Sequence, residues 1–299
     1  MKYITVQIKS ILLQKNVDIQ IFISIDLSSD GTEHYLSKWA LTEPRIKLLP
    51  FGEKFGGAGP NFYRILRDIN LTNFDYLSFA DQDDVWHPEK LWRAHSLMID
   101  QNASGYSGNV SAFWPNGKTE LVCKAQKQRQ WDFLFESAGP GCTYVLRQDL
   151  ALEVQVMVLS KWSLVQSVVL HDWLIYAYAR AHGYKWVIDE QAWMHYRQHA
   201  TNQVGVNSGW VAFVYRLRIV LRGWAIEQAE CIASLVGLDA ALFVRRWKSG
   251  GRLGLLWLAF NASKCRRRRR DRLFFSLSCL LLAVFGKKPN QQRSALMQR

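Results

Sequence analysis

Residues 81–84 read Asp81-Gln82-Asp83-Asp84 and follow the largely apolar run Tyr76-Leu77-Ser78-Phe79-Ala80. Three carboxylates at the end of a buried strand repel one another, because like charges in a low-dielectric crevice raise each other's pKa. A hard divalent cation relieves that repulsion. Mg²⁺ or Mn²⁺ takes oxygen ligands, keeps one or two protein carboxylates and shares the rest of its shell with phosphate and water. The cluster therefore predicts metal-assisted chemistry on a phosphate-bearing substrate. The competing reading is a solvated acidic turn that caps the helix announced by Pro88, where negative charge suits the helix dipole. Two further stretches could serve such chemistry. Gly56-Gly57-Ala58-Gly59-Pro60-Asn61 is a glycine-rich loop running into a helix, which allows close backbone approach and favours phosphate at the helix N-terminus. His171-Asp172-Trp173 places a carboxylate at the start of another helical pattern.

These groups need a scaffold, and the first two hundred residues supply alternating strand-like and helix-like segments. Strands are expected at 19–25, 45–49, 75–80, 142–146 and 184–188. Helices are expected at 33–41, from Pro60 to about Asn70, from Pro88 to about Gln101, and over 172–182 with Gly183 as the stop. That alternation predicts an α/β fold with a mixed, mostly parallel sheet and flanking helices. Residues 102–136 show no clear period and read as loops and short strands beside the site. From Trp210 the strand signals vanish, so the expected organisation is a catalytic domain over 1–209 and an α-helical tail over 210–299.

Charge divides at the same place. Of 38 Lys and Arg and 25 Asp and Glu, residues 210–299 hold 18 and 4, which leaves the first 209 residues nearly neutral. Within the tail, Arg266–Arg270 precede the apolar run 273–285, and Lys287 and Lys288 follow it. Thirteen apolar residues are too few to span a bilayer, which takes roughly 20, so the run reads as an interfacial segment against an anionic membrane surface. A helix packed in the core with a solvated basic flank is the alternative. Nucleic acid is not an expected partner, since the basic residues are not interleaved with aromatics across a folded face. Five cysteines with no CxxC pair, and no secretory signal at the start, fit a reducing cytoplasm.

The strand, Asp81-Gln82-Asp83-Asp84-Val85-Trp86 and the following Pro88-Glu89-Lys90-Leu91 resemble the DxD region of family 2 glycosyltransferases, particularly rhamnosyltransferases of bacterial surface polysaccharides. Asp26-Leu27-Ser28-Ser29-Asp30-Gly31-Thr32 resembles the family's DDGSxDGT loop, and Gly56–Phe62 its loop and helix near the donor. His171-Asp172-Trp173 resembles its acidic motif, Gly139–Thr143 its acceptor-side segment, and 196–205 its YRxHxxN segment. The resemblance implies a GT-A (Rossmann-like) fold and inverting transfer of a sugar, with rhamnose favoured, from a nucleotide-sugar donor to a lipid-linked or polysaccharide acceptor. It implies Asp172 as the base; Asp26, Ser28, Asp30, Gly57, Asn61, Asp81 and Arg197 at the donor; and Asp83, Asp84 and His199 at Mn²⁺ or Mg²⁺. The chain opens inside what would be the family's first helix, so the leading strand is expected to be absent. A truncated, non-catalytic nucleotide- or sugar-binding remnant is the alternative, as is a protein reading nucleic-acid phosphate through its arginine run. The enzyme is expected at the inner face of the plasma membrane, cytoplasmic and peripheral.

Overall fold

The computed structural model describes residues 3–198 and 223–286. The chain divides into two units, residues 1–125 with 137–205 and residues 126–136 with 206–299. The expected His199 ligand lies outside the described residues, as does the stretch that follows it.

In the first unit, helices and strands alternate as the hydrophobic periodicity predicts. α1 (Ile4–Leu12), β1 (Ile21–Ile23), α2 (Thr32–Thr42), β2 (Ile46–Leu48), α3 (Ala58–Asp68) and β3 (Tyr76–Ser78) lead to β4 (Val85–Trp86) and α4 (Lys90–Asp100). Then come β5 (Gly105–Phe113), β6 (Thr119–Val122), β7 (Val145–Arg147), α5 (Gln148–Ser160), α6 (Trp162–Val165), α7 (His171–Ala181) and β8 (Trp186–Arg197). β1 and β2 pair in parallel, and a six-stranded sheet runs β3-β7-β5-β8-β4 with β6 on β5. The mixed α/β class is as expected, but the parallel share is smaller. Only β1–β2 and β5–β8 are parallel among the described pairs, and four pairings are antiparallel. Element order alone does not carry strand direction. Here Asn116-Gly117 reverses β5 into β6 with Gly117 at φ +83, a conformation glycine adopts at little cost.

β5 is the centre of this sheet, in a stretch that carried no period. Both of its faces are packed, and the small residues Gly105, Ser107, Gly108 and Ala112 leave room for that packing. A Cβ on Gly105 would lie 2.1 Å from the Trp186 ring. Asn109 fills an irregular register beside β8, donating to Glu190 O at 2.6 Å and accepting from Lys124 N and Ala125 N. α1 holds the acidic loop's far side. Ile8 packs with Leu36 and Ile46, while Ile11 packs with Trp86, Val110 and Met194. Ser10 Oγ accepts Trp86 N at 3.0 Å, and Gln14 donates to His87 O and accepts from Leu91 N. One helix thus satisfies the backbone groups of β4 and its exit, which buried amides require.

The second unit comprises α8 (Trp224–Leu235), α9 (Leu242–Ser249), α10 (Gly251–Phe260), α11 (Ala262–Cys265), α12 (Arg269–Phe285) and the 126–136 segment. That segment was expected inside the catalytic domain, yet it is bound into the helical tail. Trp131 stacks on Phe243 at 4.6 Å, and Phe135 meets Phe275 and Trp247. Two arginines of the basic run turn inward to it. Arg267, buried, sets Nη1 3.4 Å from Asp132 and Nη2 3.7 Å from Glu136, and its N–H donates to Glu136 at 2.6 Å. Arg266 donates to Phe135 O at 2.6 Å. Part of the arginine run is therefore internal structure rather than a lipid-facing surface. Arg267→Met is expected to cost about 3–5 kcal/mol, the usual penalty when one partner of a buried ion pair is removed. Thermal unfolding reads this directly, and an unchanged melting temperature would contradict the role given to Arg267. Among the described residues no helix is long and apolar enough to cross a membrane.

Candidate active site

The acidic loop leaves β3 and turns back into β4, which pairs antiparallel with the end of β8. Arg197, the last residue of β8, fastens the loop from below. Its N–H donates to Asp84 Oδ1 at 3.1 Å and its Nε to Asp83 O at 2.8 Å, while its guanidinium lies between the rings of Tyr3 and Phe113. The residue expected at phosphate thus braces the acidic loop. Asp84 is fully enclosed, whereas Asp81 and Asp83 are partly exposed.

Asp81, Asp84 and Cys142 each bring a ligand-capable atom to within 4.8 Å of the others. Burial pushes the Asp81 carboxyl up to about 7, and the nearby Asp83 and Asp172 carboxylates add to the rise. Asp84 is pushed well above its ordinary value by burial and by Asp81 and Asp83, opposed by the Cys142 thiol and the Arg197 N–H. Burial also drives the Cys142 thiol well up, so it stays protonated. Asp84 Oδ2 is buried with no hydrogen-bond partner among the described residues. The crowded Asp81 and Asp84 carboxyls, one with an orphaned oxygen, offer oxygen donors beside a thiol that stays neutral, and a hard divalent cation fits the two carboxyls.

Asp172 stands in the first turn of α7. Its Oδ1 accepts Trp173 N at 2.7 Å. Burial raises its carboxyl to about 6, with the Trp173 and Gly141 N–H groups and the Lys124 charge opposing the rise. The short 3-10 turn Gly141–Thr143 replaces the first half of the strand expected at 142–146. It brings the acceptor-side segment against α7, and a Cβ on Gly141 would lie 2.6 Å from His171 Nε2 and 3.1 Å from Asp172 Cβ. A side chain there would press on the His171 ring and on the Asp172 side chain. His171 is buried against Phe62 and Phe79, and burial lowers its pKa to about 3, so it is neutral beside Asp172.

The loops expected at the donor are tied together by their own side chains. Asp26 accepts Phe55 N at 2.6 Å and Gly56 N at 2.9 Å, joining the loop after β1 to the glycine-rich loop. Asp30 accepts Ser28 Oγ and Thr32 N, each at 3.0 Å, which holds the start of α2 and keeps its carboxyl well below the usual range. Gly57 precedes α3 in extended backbone. Asn61 is bound to Ser24 through both ends of its amide.

Sequence reasoning missed two buried cations here. Arg64 reaches Asp68, Ser24 Oγ and Pro50 O, holding β1, α3 and the loop after β2 in one register. Lys90 is enclosed behind the acidic loop, its Nζ 3.5 Å above the Trp86 ring and 3.4 Å from Ser78 Oγ. Burial lowers it to about 7, with the nearby Asp84 carboxyl opposing the fall. The Pro88-Glu89-Lys90-Leu91 signature contained Lys90, but nothing in a single sequence marks a lysine as buried.

Comparison with known proteins identifies the family. The family model "Glycosyl transferase family 2" matches residues 2–141. The chain is 42% identical over 284 residues to the dTDP-rhamnosyl transferase RfbG of Shigella flexneri, covering 95% of this chain and 97% of that protein. It is 27% identical over 143 residues, 48% of this chain and 54% of the relative, to the Escherichia coli UDP-Glc:alpha-D-GlcNAc-diphosphoundecaprenol beta-1,3-glucosyltransferase WfgD. Its fold is similar to that of S. aureus TarS 1-349 in complex with UDP-GlcNAc, with a TM-score of 0.51 at 14% identity, over 95% of this chain and 78% of that one. With the mixed α/β fold of the GT-A type and a full-length relative in hand, the chain belongs to glycosyl transferase family 2 and is a glycosyltransferase.

Proposed function

We propose that this enzyme transfers rhamnose from a dTDP-linked donor to a lipid-linked or polysaccharide acceptor in cell-surface glycan synthesis, by a metal-dependent, inverting displacement at the inner face of the plasma membrane. The observation that supports the mechanism is the Gly141-Cys142 segment, since Gly141 lies against Asp172 while Cys142 brings its sulfur to within 4.8 Å of carboxyl oxygens of Asp81 and Asp84. The donor assignment rests on the extended identity to the Shigella flexneri protein. An anionic membrane surface is the partner that the basic second unit suits.

In this reading Asp172 accepts the proton of the acceptor hydroxyl as its oxygen attacks the anomeric carbon from the face opposite the leaving group. The bond to the nucleoside diphosphate breaks in the same displacement, so the sugar's configuration inverts. Neutral His171 and Gly141 fix the carboxylate's position. Asp81 contacts the donor sugar, and Asp83 and Asp84 would hold Mn²⁺ or Mg²⁺, which would supply charge stabilisation for the departing diphosphate. Asp26, Ser28, Asp30, Gly57 and Asn61 shape the donor side through the loop network, and Arg197 holds the acidic loop and adds positive charge on the donor's phosphate side. Nucleotide release from dTDP-, UDP- and GDP-sugars, with a bacterial lipid extract as acceptor, tests the donor. Release from dTDP-rhamnose alone is expected; preference for a UDP- or GDP-sugar would overturn the assignment.

A further inference from the structure

α12 presents apolar side chains on the face turned away from the second unit. Cys279, Leu282 and Ala283 are buried, while Leu273, Leu277 and Val284 recur at helical spacing on the opposite side with half or more of their surface exposed. Phe274 and Phe285 flank them and are equally open. α10, which packs on α12, also exposes Leu253 at 76% and Phe260 at 85%. A helix on the surface of a soluble domain ordinarily turns a polar face outward, and contiguous exposed apolar surface marks an interaction site.

Charge at the helix start indicates what covers this face. Arg269 and Arg270 are exposed at its N-terminal end, and the Arg270 side chain is 85% exposed with Asp271 3.6 Å away. Arg266 and Arg267, by contrast, are turned inward. Seventeen residues make a helix of about 25 Å, and it is not long and apolar enough to cross a bilayer. An exposed apolar stripe headed by exposed arginines fits a surface that is apolar beneath and anionic above.

We propose that α12 lies flat on an anionic lipid bilayer, with Leu273, Leu277 and Val284 entering the acyl boundary and Arg269 and Arg270 resting against headgroup phosphates. This deepens the membrane part of the proposed function and rests on it. The test needs neither donor nor acceptor, so its failure leaves the transfer reading standing.

The full chain is sedimented with vesicles of phosphatidylglycerol and phosphatidylethanolamine, and with vesicles of phosphatidylcholine alone. Binding to the anionic vesicles only is expected. Arg269→Gln with Arg270→Gln should reduce that partitioning by about thirtyfold, from the usual contribution of two basic residues near an anionic surface. Leu273→Glu with Leu277→Glu should abolish it, with the melting temperature unchanged because both side chains are exposed. Equal binding to both vesicle types, or binding unaffected by the leucine pair, would overturn the proposal. So would a dimer in solution that the same leucine variant converts to a monomer, since the face would then be covered by a second copy of the chain.

Discussion

Asp172→Asn is expected to lower kcat by about 10²–10⁴-fold, the usual contribution of a positioned general base, while leaving donor affinity nearly intact. The substitution is close to isosteric. The amide oxygen can still accept the Trp173 N–H that the carboxylate accepts at 2.7 Å, so the start of α7 keeps its hydrogen bond and loses only its capacity to take a proton. Loss of donor binding together with kcat would make Asp172 a structural residue instead. The wild-type pH profile carries a second signature of the same group. A base must be deprotonated to act, and burial has raised this carboxyl from an ordinary 3.8 to about 6. The kcat/KM of the enzyme should therefore fall as pH drops through about 6. An acid limb near 4 would argue against Asp172 in that role.

Asp83→Ala should remove metal-dependent turnover altogether, by about 10³-fold or more. Several kcal/mol of charge stabilisation at the leaving group corresponds to a loss of that size. The partly exposed Asp83 carboxylate contributes to the rise of both Asp81 and Asp84, so its removal also relaxes the repulsion that makes a cation fit. Calorimetric titration of Mn²⁺ in the presence of dTDP should show weakened binding in the variant. Turnover that survives both the substitution and a chelator would remove the metal from the account.

The local setting of the candidate site residues was largely legible. A strand ending in Asp81-Gln82-Asp83-Asp84, a glycine-rich loop before α3 and a carboxylate opening α7 all stand where spacing put them, because each rests on local rules of strand, loop and helix start. Residues whose setting depends on distant partners were not. β5 lacks alternation because its Gly105 lies under Trp186 and its Asn109 serves backbone groups on two sides, and both demands arise from segments far along the chain. α5 has a nearly all-round apolar sequence without a clear polar stripe. Lys90 and Arg64 look like surface residues until the packing around them is seen. The arginine run misled in an instructive way. Five consecutive cations read as one surface, yet the backbone turns Arg267 into the Asp132 and Glu136 carboxylates and leaves Arg269 and Arg270 outside.

The most direct measurement of the central claim is the anomeric configuration of the transferred sugar. The product formed from dTDP-rhamnose by the intact chain with Mn²⁺ would be isolated and its new linkage assigned by NMR. A single displacement assisted by Asp172 gives a linkage of configuration opposite to the donor's. Retention would contradict the account, because it requires a second displacement or an intermediate for which Asp172 as a base has no role.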